Sequence, residues 1–189
     1  MVRLIAVGLM FLAIVACSPV ADLDQPAEPM GDFKLGFNVI QVVDDVTKGP
    51  VSKDVTEAEW EASLQDAFDR RFSRFDGDHF YHLGVTVLGY VVAQPGIPIV
   101  LSPKSILIFE VIVIDNATQA PLNQPGEQFT VIESFSGSNL FGSGITSSKE
   151  EQIADLAAQA AQTAETWLRT QPWFYESGAI STALAQPSE

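Results

Sequence analysis

YHLGVTVLGYVVA, residues 81–93, repeats with a period of two and therefore reads as a strand. Tyr81, Leu83, Val85, Val87 and Val91 fall on one side of it, and His82, Thr86, Leu88 and Tyr90 on the other. Downstream, SILIFEVIVI at 105–114 is apolar almost throughout, as expected of a central strand covered on both faces. Asp115-Asn116-Ala117-Thr118 then marks a turn. Two further runs alternate. Phe33, Leu35, Phe37 and Val39 share a side, with Lys34, Gly36 and Asn38 between them; in Gln128–Ser136, the residues Phe129, Val131, Glu133 and Phe135 oppose Thr130, Ile132 and Ser134. Four strands are predicted.

Between the first and second strands, Gly49-Pro50 interrupts the chain and Thr56 with Glu59 forms a capping box. Trp60, Leu64, Ala67, Phe68, Phe72 and Phe75 follow at three- and four-residue steps, the period of an amphipathic helix. Its charges are ordered along the axis. Glu57, Glu59 and Glu61 stand in the first turns and Arg70, Arg71 and Arg74 in the last, which complements the helix dipole. A second capping box, Ser148 with Glu151, opens a helix carrying Ile153, Leu156, Ala157, Ala160, Ala164, Trp167 and Leu168, which ends before Pro172.

Two helices that are apolar on one stripe need a common surface to cover. The expected fold class is therefore α+β in the order βαβββα: a four-stranded, mostly antiparallel sheet with both helices on one face, a ferredoxin-like arrangement being the nearest alternative. The second face, carrying some of Thr86, Leu88, Tyr90 and their neighbours, has no assigned cover.

The chain has 189 residues, enough for one ordinary domain, and 47% of them are hydrophobic, enough for a core. Ten basic side chains face 24 acidic ones, a net charge of −14. Such a surface repels phosphate backbones, so no nucleic acid is expected as a partner, and adsorption onto anionic headgroups is discouraged likewise.

The N-terminus has the three parts of a secretory signal: Arg3, an apolar run from Leu4 to Val15, and a small residue, Ala16, before Cys17. The apolar run is shorter than the roughly 20 residues that span a bilayer. Ile14-Val15-Ala16-Cys17 resembles the bacterial lipobox, and the resemblance implies cleavage before Cys17 and a diacylglycerol on its sulfur. Loss of residues 1–16 removes only Arg3, which leaves nine basic against 24 acidic residues, or −15. Cys17 is the sole cysteine, so no disulfide and no cysteine-based metal site is expected. In lipoproteins an Asp after the acylated cysteine retains the protein in the inner membrane; Ser18 stands there, which implies the outer membrane, with the body facing the periplasm. The expected domain plan is a signal peptide at 1–16, a lipidated cysteine and Pro-rich acidic tether at 17–32, one α+β domain at 33–174 and a flexible tail at 175–189.

Three groups of residues could carry chemistry. Asp76, Asp78, His79 and His82 offer carboxylate and imidazole ligands, but His79 and His82 alternate across a strand, and Asp-Gly-Asp is a common helix stop. GSNLFGSG at 137–144 lies between a strand and a helix, as phosphate loops do, yet Ser143 and Gly144 stand where a Lys and a hydroxyl are needed. QPGIPIVLSPK at 94–104 sets Ile97, Ile99, Val100 and Leu101 among three prolines, an apolar loop suited to contact with a membrane or partner protein, or equally to folding back over the sheet. No Gly-x-Ser-x-Gly occurs, neither histidine has a hydrolase context, and no cofactor beyond the covalent lipid is expected.

Lipobox, tether and βαβββα body together resemble small outer-membrane lipoproteins, among them the lipopolysaccharide-assembly lipoprotein and the auxiliary lipoproteins of envelope ABC transporters. That resemblance implies a noncatalytic accessory that binds an envelope protein complex or lipid and is attached to the membrane by its anchor. Two other roles are weighed against it, a lipid-tethered periplasmic hydrolase and a purely structural surface lipoprotein.

Overall fold

The computed structural model describes residue 23 and residues 25–94, 104–133 and 148–175. Among them the chain forms β1 (Phe33–Lys48), α1 (Glu57–Phe72), β2 (His79–Val91), β3 (Ile106–Asp115), β4 (Ala120–Pro121), β5 (Glu127–Ile132) and α2 (Lys149–Leu168). This is the expected α+β class and order, with the two-residue β4 added.

β1 and β2 are parallel neighbours joined through α1, and β2–β3, β3–β4 and β3–β5 are antiparallel. β4 and β5 share the lane beyond β3, β4 at the Asp115 end and β5 at the Ile106 end. In the gap between them the Asn123 side chain serves as a piece of strand: its Oδ1 accepts from Val113 N at 2.8 Å and its Nδ2 donates to Val111 O at 2.9 Å. The sheet is thus four lanes wide in chain order. A ferredoxin-like sheet would split the parallel pair with another strand, and this one does not.

Both capping boxes form as read, Thr56 with Glu59 and Ser148 with Glu151. Trp60, Leu64, Phe68 and Phe72 of α1 and Ile153, Leu156, Ala157, Ala160, Ala161, Ala164 and Leu168 of α2 are buried. They meet Leu83, Val85 and Val87 of β2 and Leu107, Phe109, Val111 and Val113 of β3, so one face of the sheet carries both helices and the core between. The alanines of α2 leave little side chain between that helix and its neighbours. A T-shaped and stacked aromatic cluster closes one end, with Phe33 5.6 Å from Tyr81, 5.8 Å from Phe75 and 5.2 Å from Phe174.

The strand register shifts at three places, in β1 between Leu35 and Asn38 and between Val42 and Thr47, and in β2 between Val87 and Gly89. β1 slips register between Leu35 and Asn38, so that Asn38 and Ile40 are buried while Phe37 and Val39 turn outward, 64% and 52% exposed. The expected common side of Phe33, Leu35, Phe37 and Val39 is therefore broken at a bulge. β2 slips between Val87 and Gly89; Tyr90 then points into the core and Val91 away from it, the reverse of the uninterrupted reading. Each extra residue shifts every later side chain to the other face.

The segment expected as a tether is in part bound to the body. Met30 is 1% exposed and belongs to the core, Ala27 packs against it, and Asp32 N donates to Phe174 O at 2.8 Å. An apolar Met within the acidic run supplies the burial that a free tether lacks, so the expected boundary at Phe33 lies too late. Cys17, the loop with Ile97, Ile99, Val100 and Leu101, the 137–144 stretch and residues 176–189 of the tail all lie outside the described residues.

Candidate functional site

The sheet's second face is built from the side chains that the bulges and the pleat turn away from the helices. Successive rows across the strands run Phe37, His82 and Ile114; Val39, Gly84 and Ile112; Gln41, Thr86, Glu110 and Gln128; then Ile108 with Thr130, and Val91, Ile106 and Ile132. Apolar rows thus lie above and below one polar row. Four lanes about 4.8 Å apart and some ten residues at about 3.3 Å each give the whole face, polar row included, an extent of about 600 Å². No described element covers it, and Ile132 at its margin is 47% exposed.

His82 anchors the corner of this face. Its ring stacks on Phe37 with centroids 4.1 Å apart, its Nδ1 accepts from Phe37 N at 3.1 Å, and its Nε2 lies 3.0 Å from Asn116 Oδ1. With Nδ1 accepting, the proton belongs on Nε2, which donates to Asn116. Gly36 permits this, since a Cβ there would lie 2.4 Å from the imidazole. The histidine thus holds the bulge that exposes Phe37.

The four metal candidates do not converge. Asp76 is bound to Lys34 at 2.8 Å, and that hydrogen bond holds its carboxyl below the usual range. His79 Nε2 meets Asp115 Oδ1 at 3.2 Å, while His82 is engaged as described. Among the described residues no group of three or more His, Cys, Asp or Glu side chains is placed to hold a metal ion.

A polar cluster that the charge pattern alone did not reveal sits at the C-terminal ends of both helices. Glu165 receives Arg71 Nη1 at 2.7 Å, Arg169 Nη2 at 2.7 Å and Nε at 2.9 Å, and lies 3.5 Å from Arg74 Nη2. Arg71 is 2% exposed, so besides standing in the last turn of α1, where a cation complements the helix dipole, it belongs to a buried network. The signal was present in the sequence: Arg71 occurs three residues after Phe68, inside the apolar stripe. The outer arginines also hold the N-terminal strap. Arg169 donates to Glu28 O at 3.0 Å and Pro29 O at 3.3 Å, and Arg74 to Gln25 O at 3.4 Å.

Further along the strap, Leu23 forms one wall of a cavity of about 200 Å³, whose other walls come from α1 (Ser63, Asp66, Ala67, Arg70 and Arg71) and α2 (Ala154, Asp155 and Ala158). Ser63, Asp66, Ala154 and Ala158 lie outside the buried stripes of the two helices, while Ala67 and Arg71 form the inner wall. Among the described residues no helix is long and apolar enough to cross a membrane.

The chain matches no protein-family model and no curated protein. It is similar in structure to a Xanthomonas campestris protein of family DUF330, with 13% identity and a TM-score of 0.44 over 84% of this chain and 93% of that one. A candidate lipoprotein from Caulobacter crescentus shares 14% identity at a TM-score of 0.37, over 79% and 93% of the two chains. The PelC dodecamer subunit from Paraburkholderia phytofirmans shares 12% at 0.37, over 77% and 93%.

Proposed function

We propose that this chain is a lipid-anchored, noncatalytic binding component of a bacterial cell envelope, attached through Cys17 and engaging a partner protein with its open sheet face. It serves as an accessory of an envelope transport or assembly system, on the outer membrane and facing the periplasm. The observation that carries the binding role is the open face itself, with apolar rows on both sides of the Gln41-Thr86-Glu110-Gln128 row. A protein surface is the fitting occupant, because apolar area with one polar row matches the make-up of protein interfaces. Anionic headgroups are disfavoured by the excess of acidic over basic side chains, 24 against 10. The anchor rests on Ile14-Val15-Ala16-Cys17 and its resemblance to the lipobox.

Two measurements test this reading. Cys17→Ala is expected to abolish acylation, seen as the loss of the lipid mass, and to move the protein out of the membrane fraction; an unchanged membrane fraction removes the anchor. For the face, Val39→Asp adds a charge at a position already 52% exposed, so the melting temperature should stay within about 2 °C, a shift that goes with surface substitutions of under about 0.5 kcal/mol. In-cell cross-linking should then recover at least five-fold less of one stoichiometric protein partner. Equal recovery from both forms sinks the face as the binding surface.

A further inference from the structure

Leu23 and the strap of residues 25–32 tie the chain that leads to Cys17 onto the helix layer. From Asp32 the strap runs back past the C-terminal ends of α1 and α2, held by Arg169 on two carbonyls and by Arg74 on a third, to Leu23, which walls a cavity together with Ser63 and Asp66 of α1 and Ala154 and Ala158 of α2. Its joint with the body is tight. Gly31 has φ of +55°, and a Cβ there would lie 2.1 Å from Phe174 O, so only glycine brings the backbone this close. Met30 is buried beside it.

Only six residue steps separate Cys17 from Leu23, a reach of about 20 Å when fully extended. A helix layer about 10 Å across on a sheet about 10 Å deep makes the body some 20 Å thick, before any detour around an edge. A chain leaving from the outer side of the helices is thus too short to pass round the body and let the sheet face lie on the membrane that holds the lipid.

Resting on the Cys17 anchor proposed above, we infer that the strap turns the helix layer towards the anchoring membrane and presents the open sheet face to the periplasm. The face therefore takes a partner protein that approaches from the periplasmic side, and not the anchoring bilayer or a protein domain buried in it. Acidic side chains on the helix layer, among them Glu57, Glu61, Asp66 and Asp155, hold that layer off an anionic surface without releasing it.

The test uses the acylated full chain in phosphatidylethanolamine–phosphatidylglycerol vesicles carrying a headgroup quencher. Because acylation consumes the sole native thiol, one introduced cysteine can be labelled with a fluorophore, either Thr166→Cys on the outer side of α2 or Thr130→Cys on the sheet face; both native residues are exposed. Quenching at 166 is expected to exceed that at 130 at least three-fold. The Arg74→Ala/Arg169→Ala variant, with its strap unfastened, should bring the two within a factor of 1.5. Equal quenching at both positions in the otherwise native chain, or the reverse order, overturns the orientation. Failure of the protein to bind vesicles, with no lipid mass on Cys17, is a different result and overturns the anchor on which this rests.

Discussion

Glu59 shows how a single side chain ties local structure to tertiary structure. As the fourth residue of its capping box it reaches back to Thr56, and it also pairs with Lys149 at the start of α2, so one carboxylate fastens both helix N-termini. Lys149, and then the Thr56 N–H and hydroxyl, lower its pKa from the ordinary 4.5 to about 2. A carboxyl whose pKa falls on folding stabilises the native state fully above its unfolded value and loses that contribution as pH drops through the folded one. Glu59→Gln should therefore melt lower than the native chain at pH 7, with the difference shrinking between pH 4.5 and pH 2. A constant difference across that range in thermal melts would show that the charge has no part in it. Glu165 is a stronger case, because its three arginines include buried Arg71. Glu165→Ala is expected to cost about 3–5 kcal/mol in urea denaturation, the range for removing one partner of a buried ionic network.

At the scale of elements, the register slips at Leu35/Asn38 and at Val87/Gly89 decide what the sheet presents. Had β1 kept its alternation, Phe37 and Val39 would be buried, and the outward face would carry Lys34, Gly36 and Asn38 instead. His82 and Gly36 stabilise the alternative. Gly36→Ala is expected to displace the imidazole and cost about 1–2 kcal/mol, since Phe37 N and Asn116 lose its hydrogen bonds. Combined with His82→Ala it should cost less than the sum of the two single changes, and strict additivity would separate the pair. The strap is likewise an element with its own key residue. Gly31→Ala should speed proteolytic cleavage within residues 25–32 at least ten-fold while leaving cleavage within α1 and α2 little changed, because only the strap's joint to Phe174 is disturbed.

At the scale of the whole molecule, a two-layer body has two unlike surfaces, acidic helices on one side and a largely apolar sheet on the other. The strap lies on the helix side, and with the proposed anchor at Cys17 this asymmetry would set an orientation. The strand and helix order and the helix faces followed from periodicity, since burial on one face imposes a spacing that local sequence must repeat, and the capping boxes from residues three apart. Periodicity is blind to one-residue slips, which is why the outward turn of Phe37 and the inward turn of Tyr90 were missed. It is blind also to long-range pairing: Arg71 meets Glu165 across 94 residues, and Arg169 meets Glu28 across 141. By itself the sequence determined the class of fold, because the periods of its strands and helices are written in neighbouring residues, as is the Ile14-Val15-Ala16-Cys17 run on which the proposed anchor rests. Which face stays open, where the strap docks and which histidine holds the bulge were decided only when distant segments met, because a bulge or a buried ion pair takes its energy from a partner that the local chain does not contain.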